Sequence, residues 1–130
     1  MAIMATLDDY EDFCPQYHHA VELIGKRWTG VILLALIAGR TRYAEIRDAV
    51  PHLSDTMLGQ RLRELEAEGI VTRQVSAQPP IRVDYRLTEK GRALDAAVKA
   101  ISAWADEWVE MPDDDPARTE ATATVAAPAG

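Results

Sequence analysis

Between Ser54 and Thr88 the chain passes through a capped amphipathic helix, a glycine stop and two short β-rich segments joined by Gln78-Pro79-Pro80. Ser54 is a good N-cap, and Asp55 suits the positive end of the helix dipole. Leu58, Leu62 and Leu65 recur at i, i+4 and i+7, the spacing of one buried helical stripe. Gly69 ends the helix as a C′ residue. Ile70–Val75 and Ile81–Leu87 alternate well enough for strands, with the prolines at the hairpin tip. A helix followed at once by an arginine-flanked hairpin has the form of a winged helix-turn-helix. Such a helix is sized for a DNA major groove, and the hairpin can reach the adjoining backbone or minor groove. The fold expected is therefore mainly α with a small β-hairpin, and double-stranded DNA is the first partner implied.

Helical signals surround this unit. Pro15 suits a first helical position, and Val21, Leu23 and Ile24 supply apolar positions before Gly25. Trp28, Val31, Ile32, Leu34, Leu36 and Ile37 predict a second helix, apolar on most sides and hence central, that stops at Gly39. Tyr43, Ile46, Arg47 and Val50 fit a short third helix closed by Pro51. Thr88 is positioned to cap a long last helix in which Leu94, Val98, Ile101, Trp104 and Trp108 fall three and four apart.

A chain of 130 residues should hold one domain with a single core. The organisation expected is an acidic arm at 1–13, a DNA-binding and dimerisation domain at 14–111, and a disordered tail at 112–130. The tail is built of Pro, Asp, Ala and Thr, too poor in bulky apolar residues to offset its ordering entropy. One cysteine allows no internal disulfide and suggests no oxidising compartment. The acidic start does not resemble a secretory signal. The longest apolar run, Val31 to Ala38, is far short of the roughly 18 to 20 residues of a membrane span. A cytoplasmic protein is expected, with no membrane partner.

The net charge of −7 suits a DNA binder poorly until it is located. Residues 1–13 carry −4 and residues 100–130 carry −6, whereas 14–99 hold thirteen bases against ten acids, or +3. Screening limits surface charge to about 8 Å at physiological salt, so acidic ends need not cancel a basic face.

At about 100° per residue, the face opposite the leucine stripe carries Thr56, Gln60 and Arg63, with Gly59 beside them. An isolated amphipathic helix usually has such a face only for solvent. Here it is nearly free of acids until Glu64. Gln can pair with adenine and Arg with guanine, so groove insertion is the reading adopted. Arg42, Ser54 and Arg61 complete the helix-side set of expected DNA contacts. Arg82, near the hairpin tip, is assigned to phosphate or a minor groove, although exposed arginines on a hairpin also serve solubility. Ile101, Trp104 and Trp108 share one face of the last helix. They could fill a monomer core, but an aromatic-ended terminal helix beside an already sufficient core is assigned to a partner subunit. Palindromic operators call for such two-fold dimers.

Cys14 lies at or next to a helix N-cap. The dipole and a protonated His18 favour the thiolate, Glu11 and Asp12 oppose it, and reactive and inert readings both stand on local chemistry. Cys14, His18 and His19 fall short of a closed zinc site. No nucleophile–base pair, phosphate loop or carboxylate motif is evident, so no enzyme, metal or cofactor is expected.

These residues together resemble the HxlR family of bacterial transcriptional regulators, winged-helix proteins close to the MarR type. The resemblance spans roughly residues 14 to 108. It is carried in order by Cys14-Pro15, Gly25-Lys26-Arg27-Trp28, Arg42-Tyr43-Ala44-Glu45-Ile46 and Leu53-Ser54. It continues through Leu58, Arg61-Leu62-Arg63-Glu64-Leu65-Glu66, Glu68-Gly69-Ile70-Val71-Thr72-Arg73, Pro80, Val83-Asp84-Tyr85, Leu87-Thr88-Glu89-Lys90-Gly91 and Trp104. Two departures are Lys26-Arg27 before Trp28 and an acid, Asp55, after the serine. The resemblance implies a homodimer through the first and last helices, with Tyr17, Val21, Ile101, Trp104 and Trp108 at the interface. It also implies that Cys14 is a redox or electrophile sensor that alters operator binding.

The function expected is a DNA-binding regulator, a repressor modulated through Cys14. Two alternatives are a regulator with a small-molecule effector at the dimer interface and a winged-helix module that binds protein.

Overall fold

The computed structural model describes residues 13–112. The expected acidic arm and tail lie, apart from Phe13 and Pro112, outside those residues. Eight elements follow in order among them: α1 (Pro15–Ile24), α2 (Thr29–Ile37), α3 (Tyr43–Ala49), α4 (Asp55–Ala67), β1 (Val71–Val75), β2 (Val83–Leu87), α5 (Glu89–Arg92) and α6 (Asp95–Trp108).

Local chemistry accounts for most boundaries. Ser54 Oγ accepts the Met57 N–H at 3.2 Å and starts α4. Gly39 and Gly69 stop α2 and α4 at φ of 99° and 79°. In both turns the glycine N–H bonds three residues back and the following N–H bonds five back: Arg40 to Ala35 at 3.1 Å, Ile70 to Leu65 at 2.9 Å. Those are Schellman closures, which satisfy the last carbonyls and need a residue at ease with positive φ.

The core forms where α2, α3, α4 and the hairpin meet. Ile32, Leu33, Ala35 and Leu36 of α2 face Ile46, Leu58, Leu62, Leu65, Ile70, Val71 and Tyr85, and Val98 closes it from α6. The leucine stripe of α4 is sealed, as its spacing predicts. The hairpin is antiparallel, with Val71 opposite Leu87, Arg73 opposite Tyr85 and Val75 opposite Val83. The free edge of β2 meets the segment before α3: Tyr85 N–H donates to the Thr41 carbonyl at 2.7 Å, beside a bridge between Arg42 and Asp84. The hairpin is thereby tied at its base to the helix-turn-helix.

Three expectations change. The strands are shorter than 70–75 and 81–87, because Ile81 and Arg82 precede the ladder; Ser76 N–H still reaches the Arg82 carbonyl at 2.8 Å. The last helix is two pieces. Its first turn is pinned by the Thr88 hydroxyl, which donates to the Gly69 and Ile70 carbonyls, and by Gly91, which packs directly on the Ile70 carbonyl. The Leu94 N–H then bonds only three residues back, to Gly91 at 3.1 Å, and the tightened turn separates α5 from α6. Finally, α2 is central on one side only: Val31 and Leu34 remain exposed.

Leu62 sits in the middle of the α4 stripe, sealed on every side. Leu62→Ala is expected to cost about 2–5 kcal/mol of unfolding free energy. Urea titration should show a lower midpoint with an unchanged slope.

Candidate nucleic-acid interface

The outward face of α4 is set by its inward one. With Leu58, Leu62 and Leu65 buried, Thr56, Gln60 and Arg63 are left exposed, as the helical periodicity requires. Arg63 does not stand alone. It lines, with Tyr43, Asp55, Thr56, Gly59, Glu66, Arg73 and Tyr85, an open groove of about 590 Å³ between α4 and the hairpin. Arg73 of β1 is thus brought to the same groove as Arg63. The cross-strand register does this, placing Arg73 opposite Tyr85.

Gly59, beside the polar face, has a packing role. A Cβ there would meet the Tyr43 hydroxyl at 3.4 Å and Arg63 Nη1 at 3.3 Å. Its missing side chain lets Tyr43 of α3 lie against α4. The Tyr43 hydroxyl also donates to the Asp55 carbonyl. Burial and the nearby Asp55 charge push that phenol above its ordinary value.

The start of α4 carries an ion pair. Arg47 Nη1 of α3 donates to Asp55 Oδ1 at 3.2 Å, and its Nε to Asp48 Oδ1 at 3.4 Å. Hydrogen bonding to Asp55, and then its charge, hold the guanidinium above its usual value. No pattern in the sequence singles out Arg47 for this, because the partners are eight positions apart on different helices.

Arg61 is placed differently from Arg63. Its side chain is only 12% exposed. Nε donates to the Arg27 carbonyl at 2.8 Å, and Nη1 spans both Glu64 oxygens at 2.9 and 3.0 Å. Lys26 closes on Glu64 at 3.4 Å. Arg61 is therefore a brace from α4 to the α1–α2 corner, and it leaves the set of expected DNA contacts. Periodicity holds the signal: Arg61 lies about 60° from Leu58 around the helix, Arg63 about 140°. Burial alone would raise the Glu64 carboxyl, but Arg61 and Lys26 outweigh it and hold it below the usual carboxylate range.

Arg42 is exposed immediately before α3, where Glu45 Oε1 accepts its N–H at 3.0 Å and that of Thr41 at 3.2 Å. Arg82 is exposed at the hairpin end, its N–H on Ser76 Oγ at 2.8 Å.

A second surface is apolar. No residue of α1 is buried. Tyr17 is 70% exposed, Val21 48%, Ile101 57%, Trp104 60% and Trp108 67%. Exposed Val31 and Leu34, expected inside because the helix is apolar on most sides, lie on α2, the helix that touches both α1 and α6. Cys14 is the N-cap of α1, half-buried, with its thiol 3.7 Å from Gln16 Oε1. His18, one turn on, faces Glu22 at 3.4 Å and lies tilted against the Phe13 ring, centroids 5.4 Å apart. Among the described residues no helix is long and apolar enough to cross a membrane, and no three His, Cys, Asp or Glu converge as a metal site.

Comparison with known proteins follows the same outline. Residues 23–113 match the model of the HxlR-like helix-turn-helix family. The HTH-type transcriptional regulator YodB of Bacillus subtilis is 46% identical over 100 residues, 77% of this chain and 89% of that protein. The crystal structure of diamide-treated YodB from B. subtilis superposes with a TM-score of 0.63 at 45% identity, covering 76% of this chain and 98% of that one. The redox regulator HypR in its oxidized form gives a TM-score of 0.69 at 38% identity, covering 75% and 100%.

The Glu64 brace predicts an acid dependence. A carboxyl whose folded pKa lies below its unfolded value adds stability above about pH 4.5, the ordinary carboxylate value, and loses it as pH falls through the folded pKa. Glu64→Gln should therefore be less stable than wild type at neutral pH. Chemical denaturation from pH 7 to pH 3 should show the gap closing in acid.

Proposed function

Because the chain belongs to the HxlR-like helix-turn-helix family of transcriptional regulators, we propose that it is a homodimeric repressor whose hold on a palindromic operator changes when Cys14 is oxidised or alkylated. It is a DNA-binding regulator and not an enzyme. The observation that carries the reading is the exposed Thr56–Gln60–Arg63 face, held outward by a sealed leucine stripe and flanked by a groove with Arg73. In this reading α4 enters the major groove, Arg42 and Arg82 meet the backbone on either side, and Ser54 holds the first turn in place. Gln60 and Arg63 read base edges.

Dimerisation is supported by α1. A ten-residue helix is marginal in water and draws its stability from packing an apolar face. Here that face, with Tyr17 and Val21, is exposed within one subunit, as are Ile101, Trp104 and Trp108 of α6. A second copy covering both sets accounts for them. The sensing role is supported by the place of Cys14 at the start of that same helix, by HypR being a redox regulator solved oxidised, and by YodB solved after diamide treatment. Modification at the α1 N-terminus alters how two subunits pack and so respaces their reading helices. A second reading is a regulator with a small-molecule effector at the dimer interface; within one chain an open cleft of about 430 Å³ lined by Leu36, Ile37, Tyr85, Leu87, Arg92 and Asp95 offers a further place for one.

Four measurements test this. The operator should be an inverted repeat with half-sites about 34–36 Å apart, or a small multiple. On it, Gln60→Ala or Arg63→Ala should lose about 1–3 kcal/mol and relax one base pair, whereas Arg82→Ala should weaken all sequences alike and flatten the salt dependence. Trp104→Ala should lower dimer stability by about 3–5 kcal/mol, read by sedimentation against concentration. Gel shifts of wild type and Cys14→Ser with and without diamide should differ only in the wild type. An equal response in both proteins would transfer the switch to the small-molecule reading.

A further inference from the structure

Asp55 places a negative charge at the first residue of the helix meant to enter a polyanion, and the structure shows how it is held. Its carbonyl accepts the Tyr43 hydroxyl, and its Oδ1 accepts Arg47 Nη1 at 3.2 Å. Its side chain nevertheless remains 65% exposed. It also lines the groove that holds Thr56, Arg63 and Arg73. The backbone at the helix start is therefore held by Tyr43, and the carboxylate is accompanied by a cation without being covered. An acid serving only the helix dipole does not need the arginine, because proximity to the first turn suffices.

From this arrangement, and resting on the DNA-binding reading above, we propose that Asp55 is a specificity-determining residue that accepts a hydrogen bond from the exocyclic amine of a cytosine, with Arg47 as its positioning residue. The first residues of a recognition helix are those that meet base edges. An ionised carboxylate only accepts hydrogen bonds. In the major groove the amine donors are cytosine N4 and adenine N6, but adenine sets the acceptor N7 beside its amine, where a second carboxylate oxygen would be repelled. Cytosine offers the donor without that neighbour. Arg47 has a second task here, since its charge offsets repulsion between Asp55 and the flanking phosphates.

The test uses the full chain and a panel of duplexes. Wild type first selects its preferred sites from a random duplex pool, and each base pair of the half-site is then replaced in turn. Replacing one particular C·G pair should cost wild type roughly 5- to 150-fold in affinity, the range of a good base contact. Asp55→Asn should shift preference at that position from cytosine to adenine, because an amide can pair with both N6 and N7 of adenine. Arg47→Gln should flatten the same position and weaken binding to every duplex, with Arg47→Lys restoring part of the affinity. If Asp55→Asn changes affinity by one common factor across the panel, Asp55 is only a repelling charge and the proposal falls. The same holds if wild type shows no cytosine preference matched to Asp55. Should wild type bind no duplex at all, the DNA reading itself is overturned, an outcome distinct from either of these.

Discussion

Burial of the α4 leucine stripe in the core it shares with α2, α3 and the hairpin is the constraint on which the remaining geometry hangs. Leu58, Leu62 and Leu65 are almost without solvent contact, and rotating α4 by one position would expose them and bury Gln60 or Arg63. A sealed leucine is worth about 1.5–3 kcal/mol relative to exposure. Three of them therefore outweigh any single surface ion pair in fixing the helix orientation, since such pairs rarely exceed about 1 kcal/mol. The polar face is held outward by what lies beneath it. The hairpin inherits its place from the same packing, because Ile70 and Val71 enter the core directly after the Gly69 turn.

Charged side chains then divide according to how much of the core edge they touch. Arg61 and Arg63 are two residues apart and do opposite things. One is drawn to the corner, where Glu64 and the Arg27 carbonyl take up its donors; the other stays in an open groove with Arg73. Arg47 and Asp55 form a third arrangement, paired yet exposed. The +3 charge of residues 14–99 is thus no uniform coat. Part of the positive charge is spent on internal braces, and what remains for a ligand is concentrated around α4 and the hairpin.

The terminal helices add a different dependence. Within one subunit α1 buries nothing, and Leu23 and Ile24 at its end only lean on the core. His19 reaches Glu68 at 2.9 Å, tying α1 to the end of α4. In the proposed dimer, this short connection and α2 are the links by which a change in packing at the first helix would reach α4.

Local chemistry in the chain determined most helix starts and stops, the leucine stripe, the hairpin with its Pro79-Pro80 tip, and the exposure of Thr56, Gln60 and Arg63. Each depends on residues within one or two turns of each other, where periodicity, capping and turn preference act without knowledge of the rest. Tertiary structure decided what joins residues distant in sequence. It turned Arg61 inward, seated Tyr43 against Gly59, paired Arg47 with Asp55, brought Arg73 into the groove beside Arg63, and split the last helix where Gly91 meets Ile70. Side-chain partners on separate helices and strands are chosen by the packing of those elements, and a long flexible arginine has several within reach until the core has placed them.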